Sequence, residues 1–144
     1  MTVEPLENLG ALLSETARAW RARLDRRLKP LGLSQARWLV LLKLARGGDG
    51  IVQKELAARI GIEGATLVRL LDCMARDGWI LRRDAAHDRR SKTVHLTPRA
   101  RAVLPRIEAV AAEVRGELLA GIQHADVDCC TKVLRRIRER AERD

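Results

Sequence analysis

No apolar run in this 144-residue chain approaches the roughly 18–20 residues that cross a bilayer, so no membrane role is expected. The start, Met1-Thr2-Val3-Glu4-Pro5, lacks a basic stretch followed by an apolar one and does not read as a secretory signal. A cytoplasmic home follows. Cysteine is sparse and odd in number: Cys73, Cys129 and Cys130 make no disulfide framework, which fits a reducing compartment. There is no CxxC, and His87, His95 and His124 fall at no zinc-site spacing, so neither a metal nor a cofactor is expected. Paired carboxylates, a nucleophile with an attendant base and a phosphate-cradling loop are also missing. Those absences argue against an enzyme. Internal repeats and low-complexity segments are missing too.

What is present is charge. The formal net charge is +9, and the chain is 47% hydrophobic and 33% charged. That balance describes a folded domain with a real core and points to an acidic partner, nucleic acid ahead of an anionic membrane. A basic surface that merely solubilises is the bland alternative, and charge alone does not choose.

Periodicity supplies the elements. Leu6, Leu9, Leu13, Ala17, Trp20, Leu24 and Leu28 recur at three- and four-residue steps, predicting an amphipathic helix that ends near Lys29-Pro30. Ser34 offers an N-cap for a second helix bearing Trp38, Leu39, Leu41, Leu42 and Leu44, which Gly47-Gly48-Asp49-Gly50 stops. Residues 53–77 read as two short helices broken at Gly61. Trp79-Ile80-Leu81 and Val94-His95-Leu96 are β-prone, with the polar residues 82–93 expected as a long hairpin loop. Thr97-Pro98 is a helix start, for a helix running to about Gly121, and a last helix carries Val127, Cys130, Leu134, Ile137 and Ala141. The apolar faces of the first and last helices can line one core or meet a second copy.

The chemistry lies in the middle. With Gln53 as the first position of a helix-turn-helix, apolar residues fall where two helices pack: Leu56, Ile60, Ile62, Leu67 and Leu70. Ala57 is small where the helices cross, and Gly61 tolerates the positive φ of the sharp turn. A helix-glycine-helix corner also occurs in domains that bind nothing. The hairpin that follows makes this the winged variant, and residues 82–92 carry five cations against two carboxylates. Such a wing can reach phosphates or insert arginine into a narrow minor groove. The second helix, from Gly64 to Asp77, then enters the major groove. Ala65, Thr66 and Arg69 are its candidate base and phosphate contacts, while Gln53 and Lys54 open the preceding helix against a phosphate.

Several runs resemble the MarR family of transcriptional regulators. They are Leu56-Ala57-Ala58-Arg59-Ile60-Gly61-Ile62, Leu67-Val68-Arg69 with Leu71-Asp72, Asp77-Gly78, Asp88-Arg89-Arg90-Ser91 and Leu96-Thr97. Trp20-Arg21, Arg27-Leu28-Lys29-Pro30-Leu31 and Trp38 are similar to its SlyA-like branch. The resemblance implies a mainly α fold with a small β-hairpin wing. Residues 1–144 would form one domain, with residues 6–30 and 98–144 as dimerisation helices and residues 34–97 as the winged helix-turn-helix lobe. It implies a homodimer on a pseudo-palindromic, AT-rich operator of double-stranded DNA. Arg89 or Arg90 would lie in the minor groove, beside Ser91 and Lys92 of the wing. It also implies release by a small aromatic carboxylate such as salicylate, in a cleft lined by Arg18, Arg21, Trp38 and Arg69. Two arginines and an indole suit such a ligand.

Some positions depart from the pattern. Ala36 and Leu42 stand where relatives place polar cleft residues, Val52 where a Ser or Thr cap is usual, and Cys129-Cys130-Thr131 in a run normally aliphatic. Redox-sensing relatives carry a cysteine in the first helix, and this chain has none there. Trp20 and Trp38 can equally be core, Arg18 and Arg21 solvated surface, and Cys129 and Cys130 small fillers at a helix interface. Cys73, near several arginines, can be a reactive thiol. A thiol-gated regulator and a ligand-free architectural DNA-binding protein therefore remain beside the ligand-gated reading.

Overall fold

The computed structural model describes residues 7–143, which divide between Ala112 and Glu113 into two compact units. In the first, helix α1 spans Leu9–Leu28 and gives way to a 3-10 turn, Lys29–Leu31, as Pro30 requires. Helix α2 is Arg37–Lys43 and loosens through Leu44–Gly48, followed by strand β1, Ile51–Val52. Helices α3, Gln53–Ile60, and α4, Gly64–Arg76, form the helix-turn-helix. Strands β2, Ile80–Ala85, and β3, Asp88–Leu96, make the wing, and helix α5 is Pro98–Leu119.

The chain has no Phe or Tyr, so its core is aliphatic. Leu28, Leu33, Leu41, Leu44, Leu56, Leu67, Leu71, Met74 and Ile80 are all fully buried, with Trp38 and Trp79 beside them. Branched side chains at this density tolerate truncation badly, at about 2–5 kcal/mol for a Leu→Ala change. The helix-turn-helix packs as its spacing predicts: Leu56, Ala57, Ile60 and Leu67 are buried, while Ile62 and Leu70 are half-buried. Gly61 has φ +77°, and its N–H donates to the Ala57 carbonyl at 2.9 Å, closing α3. Val52 sits at the α3 N-cap with no side-chain hydrogen bond, as a valine must.

Two sequence expectations fail here. Ser34 does not cap α2 through its side chain. The chain instead turns through Gln35 and Ala36, at φ 58° and 66°, and the Ser34 carbonyl accepts the Arg37 N–H at 3.4 Å. The expected long hairpin loop is also wrong. Only Ala86 and His87 form the turn, and most of residues 82–93 are paired strand. Arg82, Arg83 and Lys92 are long side chains whose stems suit a strand with one exposed face, which a count of charges conceals. The sheet order is β1-β3-β2, all antiparallel, with Ile51 opposite Val94.

Thr97 starts α5 as predicted. Its hydroxyl accepts the Ala100 N–H at 3.2 Å and lies 2.7 Å from the Gly78 carbonyl, so one buried side chain joins the helix to the end of α4. The second unit holds the end of α5 and helix α6, His124–Ala141. Val114 is buried, whereas Ile122, Val133 and Leu134 are large apolar side chains left exposed. Among the described residues no helix is long and apolar enough to cross a membrane.

Candidate nucleic-acid interface

Helix α4 is strongly two-sided. Leu67, Leu71 and Met74 are buried, whereas Ala65, Thr66, Arg69 and Asp72 are exposed along the opposite face. Thr66 and Arg69, three residues apart, present a hydroxyl, a methyl and a guanidinium together. In the preceding helix Lys54 is exposed and Gln53 half-buried, its Oε1 enclosed without a hydrogen-bond partner. Gln53 is the first residue of α3, whose first-turn backbone N–H groups have no intrahelical acceptor.

The wing owes its shape to one carboxylate. Strand pairing runs regularly from Ile80 opposite Leu96 to Asp84 opposite Lys92, then jumps to Ala85 opposite Asp88. Arg89, Arg90 and Ser91 therefore bulge from β3 with no partner residue across the ladder. Asp88 holds the bulge: Oδ1 accepts the Arg90 backbone N–H at 2.9 Å, and Oδ2 accepts the Ser91 hydroxyl at 3.4 Å. Both guanidiniums are exposed, with no ion pair among the described residues. Lys92, by contrast, is bonded to Asp84, and Ser91 is half-buried.

A second tie fixes the wing against the recognition helix, where Arg82 of β2 pairs with Asp72 of α4 at 2.6 Å. At the far end of α4, Asp77 pairs with Arg37 at 3.1 Å, and its carbonyl accepts from Arg99. Arg99 also lies 4.0 Å over the Trp79 ring. Asp49 closes the third side: one carboxylate oxygen accepts the Leu96 N–H at 2.8 Å, and the other meets Arg101 at 2.5 Å. Of these contacts, the pair of Arg82 with Asp72 joins the hairpin to α4 directly.

Sequence reasoning quoted Asp88 and Asp72 only within the family resemblance and Asp49 only within a helix stop, and gave none of the three a contact to make. For Asp88 a signal existed: an aspartate two residues before a backbone N–H it can bond is an Asx-turn pattern.

The other predicted site is less assembled. Arg18 and Arg21 are exposed on α1, and Asp25, one turn further along, accepts the Trp38 indole N–H at 2.5 Å. That hydrogen bond brings Trp38 to the arginine stripe, but it occupies the indole donor and leaves the ring only 5% exposed. Arg69 projects from α4, and no hydrogen bond or ion pair among the described residues joins it to the stripe. Cys73 is half-buried, while Cys129 and Cys130 are exposed on α6. Among the described residues no cluster of His, Cys, Asp or Glu is placed to hold a metal.

A two-sided helix, a tight preceding helix and a basic hairpin tied to both define a winged helix-turn-helix. The model of the MarR family matches residues 31–91. A transcriptional regulator of known structure, PA3341, is 53% identical, with 92% of this chain and 97% of that one covered and a TM-score of 0.83. The chain belongs to the MarR family of DNA-binding transcriptional regulators. The transcriptional regulator SlyA shares the fold at 22% identity, with 93% and 94% covered and a TM-score of 0.84. CouR from Rhodococcus jostii RHA1, solved bound to p-coumaroyl-CoA, shares it at 24% identity, with 90% of both chains covered and a TM-score of 0.77.

Proposed function

We propose that residues 1–144 act as one MarR-type domain that dimerises and binds a pseudo-palindromic, AT-rich operator, from which a small aromatic carboxylate releases it. The observation that carries the DNA contacts is the pinned bulge, which holds Arg89 and Arg90 exposed and without ion pairs at the wing. Helix α4 brings Ala65, Thr66 and Arg69 to the major groove, and Gln53 and Lys54 at the start of α3 meet a phosphate. Ser91 and Lys92 complete the wing, Ser91 by holding the bulge and Lys92 by adding charge beside it.

A second copy is supported by apolar side chains that one chain leaves in water: Leu9 and Leu12 on α1, and Val133 and Leu134 on α6. For the ligand, Arg18, Arg21, Trp38 and Arg69 supply guanidiniums and an indole wall, and the p-coumaroyl-CoA bound to CouR supports a ligand-responsive role for the same fold. The test is fluorescence anisotropy at about 150 mM salt, with DNA from upstream of the gene and a scrambled duplex, each with and without salicylate. Nonspecific binding lies near 10⁻⁴–10⁻⁶ M, and operator binding should be at least about 10³-fold tighter and weaken with salicylate. Equal weak binding to both duplexes refutes the operator assignment.

The exposure of Cys129 and Cys130 favours one further reading, gating by thiol oxidation. It requires that peroxide change operator affinity and that a triple Cys→Ser variant lose the response.

A further inference from the structure

Helix α4 ends in a turn closed by glycine. The Gly78 N–H donates to the Ala75 carbonyl at 3.2 Å and the Trp79 N–H to the Met74 carbonyl at 2.9 Å, with Gly78 at φ +81°. The next three carbonyls are taken by the start of α5. Asp77 accepts from Arg99, Gly78 accepts the Thr97 hydroxyl at 2.7 Å, and Trp79 accepts the Thr97 N–H at 3.3 Å.

Those bonds come from one element. A second element, α2, supplies the other anchor. Half-buried Arg37, its first residue, meets the Asp77 carboxylate at 3.1 Å and the Gly32 carbonyl at 3.4 Å. The chain enters α2 through Gln35 and Ala36, both at positive φ. Left-handed residues other than glycine are disfavoured and persist only where their surroundings hold them. Trp38, the residue after Arg37, donates to Asp25 of α1 at 2.5 Å. Two adjacent side chains at the start of α2 therefore link α1 to the end of α4.

Placement at this end of α4 matters at the other. Thr66 lies eleven residues before Asp77, about 16 Å along the helix. A tilt of about 2° at Asp77 carries Thr66 about 0.6 Å sideways. Hydrogen bonds span only about 0.5 Å between their short and long limits, so that displacement decides whether a base contact forms. Long flexible cations follow a shift of that size and keep their phosphates.

We propose that Arg37 is a positioning residue for operator recognition: its pair with Asp77 sets the tilt of α4, and with it the aim of Thr66 and Arg69. This rests on the reading of α4 as the helix that enters the major groove. Arg37 itself touches neither base nor phosphate in this account.

The test is anisotropy on operator and scrambled duplexes with the full-length parent, Arg37→Ala, Asp77→Ala and the double variant, alongside urea unfolding of all four. The two single changes shift net charge in opposite directions but break the same link. Each should lower the ratio of operator to scrambled affinity about five- to tenfold, the low end of what one disturbed base contact is worth. Scrambled binding, which rests on phosphates, should move less than about threefold. The double variant should lose no more than the larger single loss, since the link is already gone. A role in stability alone lowers the urea midpoint and leaves the ratio unchanged, and that result overturns the proposal. Single variants whose ratios move in opposite directions, or losses that add in the double variant, overturn it as well. A parent that binds both duplexes equally refutes the operator reading, and the positioning role falls with it. A parent that discriminates, matched by its variants, refutes the role of Arg37 alone.

Discussion

Asp88 offers the most discriminating perturbation, because two physical accounts of the wing give it opposite signs. If the wing is only a cluster of charge, removing a carboxylate strengthens DNA binding. At about 10 Å from a phosphate in water, one charge is worth about 0.4 kcal/mol before salt screens it further. If the wing acts through the geometry of its bulge, the same change weakens binding. Asp88→Ala removes the acceptors of the Arg90 N–H and the Ser91 hydroxyl, freeing residues 89–91. Ordering a backbone residue costs about 1–2 kcal/mol, and binding must then re-order part of that segment. A loss of about 1–2 kcal/mol in operator affinity follows, or about 5- to 30-fold. Geometry therefore outweighs charge. Anisotropy on operator and scrambled duplexes reads the difference. The log–log salt slope should stay constant, since the same cations still meet phosphates. Asp88→Asn removes the charge but keeps one acceptor for Arg90, and it should bind within about threefold of the parent, below 1 kcal/mol. Operator binding by Asp88→Ala as tight as the parent's, or tighter, refutes the argument.

Arg89→Ala with Arg90→Ala should weaken binding and flatten the salt dependence, by about 0.9 in the log–log slope for each phosphate that the two guanidiniums neutralise; unchanged affinity removes the wing from the interface. Thr66→Ala should alter the preference among operator variants, by about 1–3 kcal/mol at one base pair, and leave the salt slope alone. Ala36→Gly relieves a left-handed alanine at φ 66°. After the cost of glycine's freedom it should stabilise the fold by about 0.5 kcal/mol, seen as a rise of about 1–2 °C in Tm. Asp49→Ala strips the acceptor from the Leu96 N–H and should cost about 1–2 kcal/mol in urea unfolding. Asp49→Asn, which gives up only the exposed pair with Arg101, should cost less than about 1 kcal/mol.

Where one residue type answers one packing demand, the sequence was easy to read. Leu56, Ala57, Gly61 and Leu67 each have a single place in a helix-turn-helix, and each occupies it. Thr97-Pro98 announced its helix because a cap and a fixed φ act within a few residues. The wing was misjudged for the opposite reason. Its strands alternate long cations with half-buried positions, and pairing across the ladder, not local preference, makes residues 82–85, 88, 92 and 93 extended. The left-handed turn at Gln35 and Ala36 had no local signal either, since neither residue favours it. Trp38 shows a subtler limit. Spacing placed it on an apolar face, but only the folded chain reveals that Asp25 has taken its N–H.

The distribution of ion pairs carries the last step. The basic charge is not spread evenly between paired and unpaired cations. Arg37, Arg59, Arg82, Lys92 and Arg101 are each bound to a carboxylate, and four of these pairs, all but Arg59 with Glu55, brace α4, the wing or the start of α5. Lys54, Arg69, Arg89 and Arg90, exposed on the face that would meet DNA, have no ion pair among the described residues. A paired cation must surrender its carboxylate before it can neutralise a phosphate, whereas an unpaired one releases only mobile counterions. The carboxylates thus brace the scaffold through paired cations, Lys92 of the wing among them, and leave Lys54, Arg69, Arg89 and Arg90 uncommitted. The acidic residues therefore shape the proposed DNA-binding surface together with the basic ones.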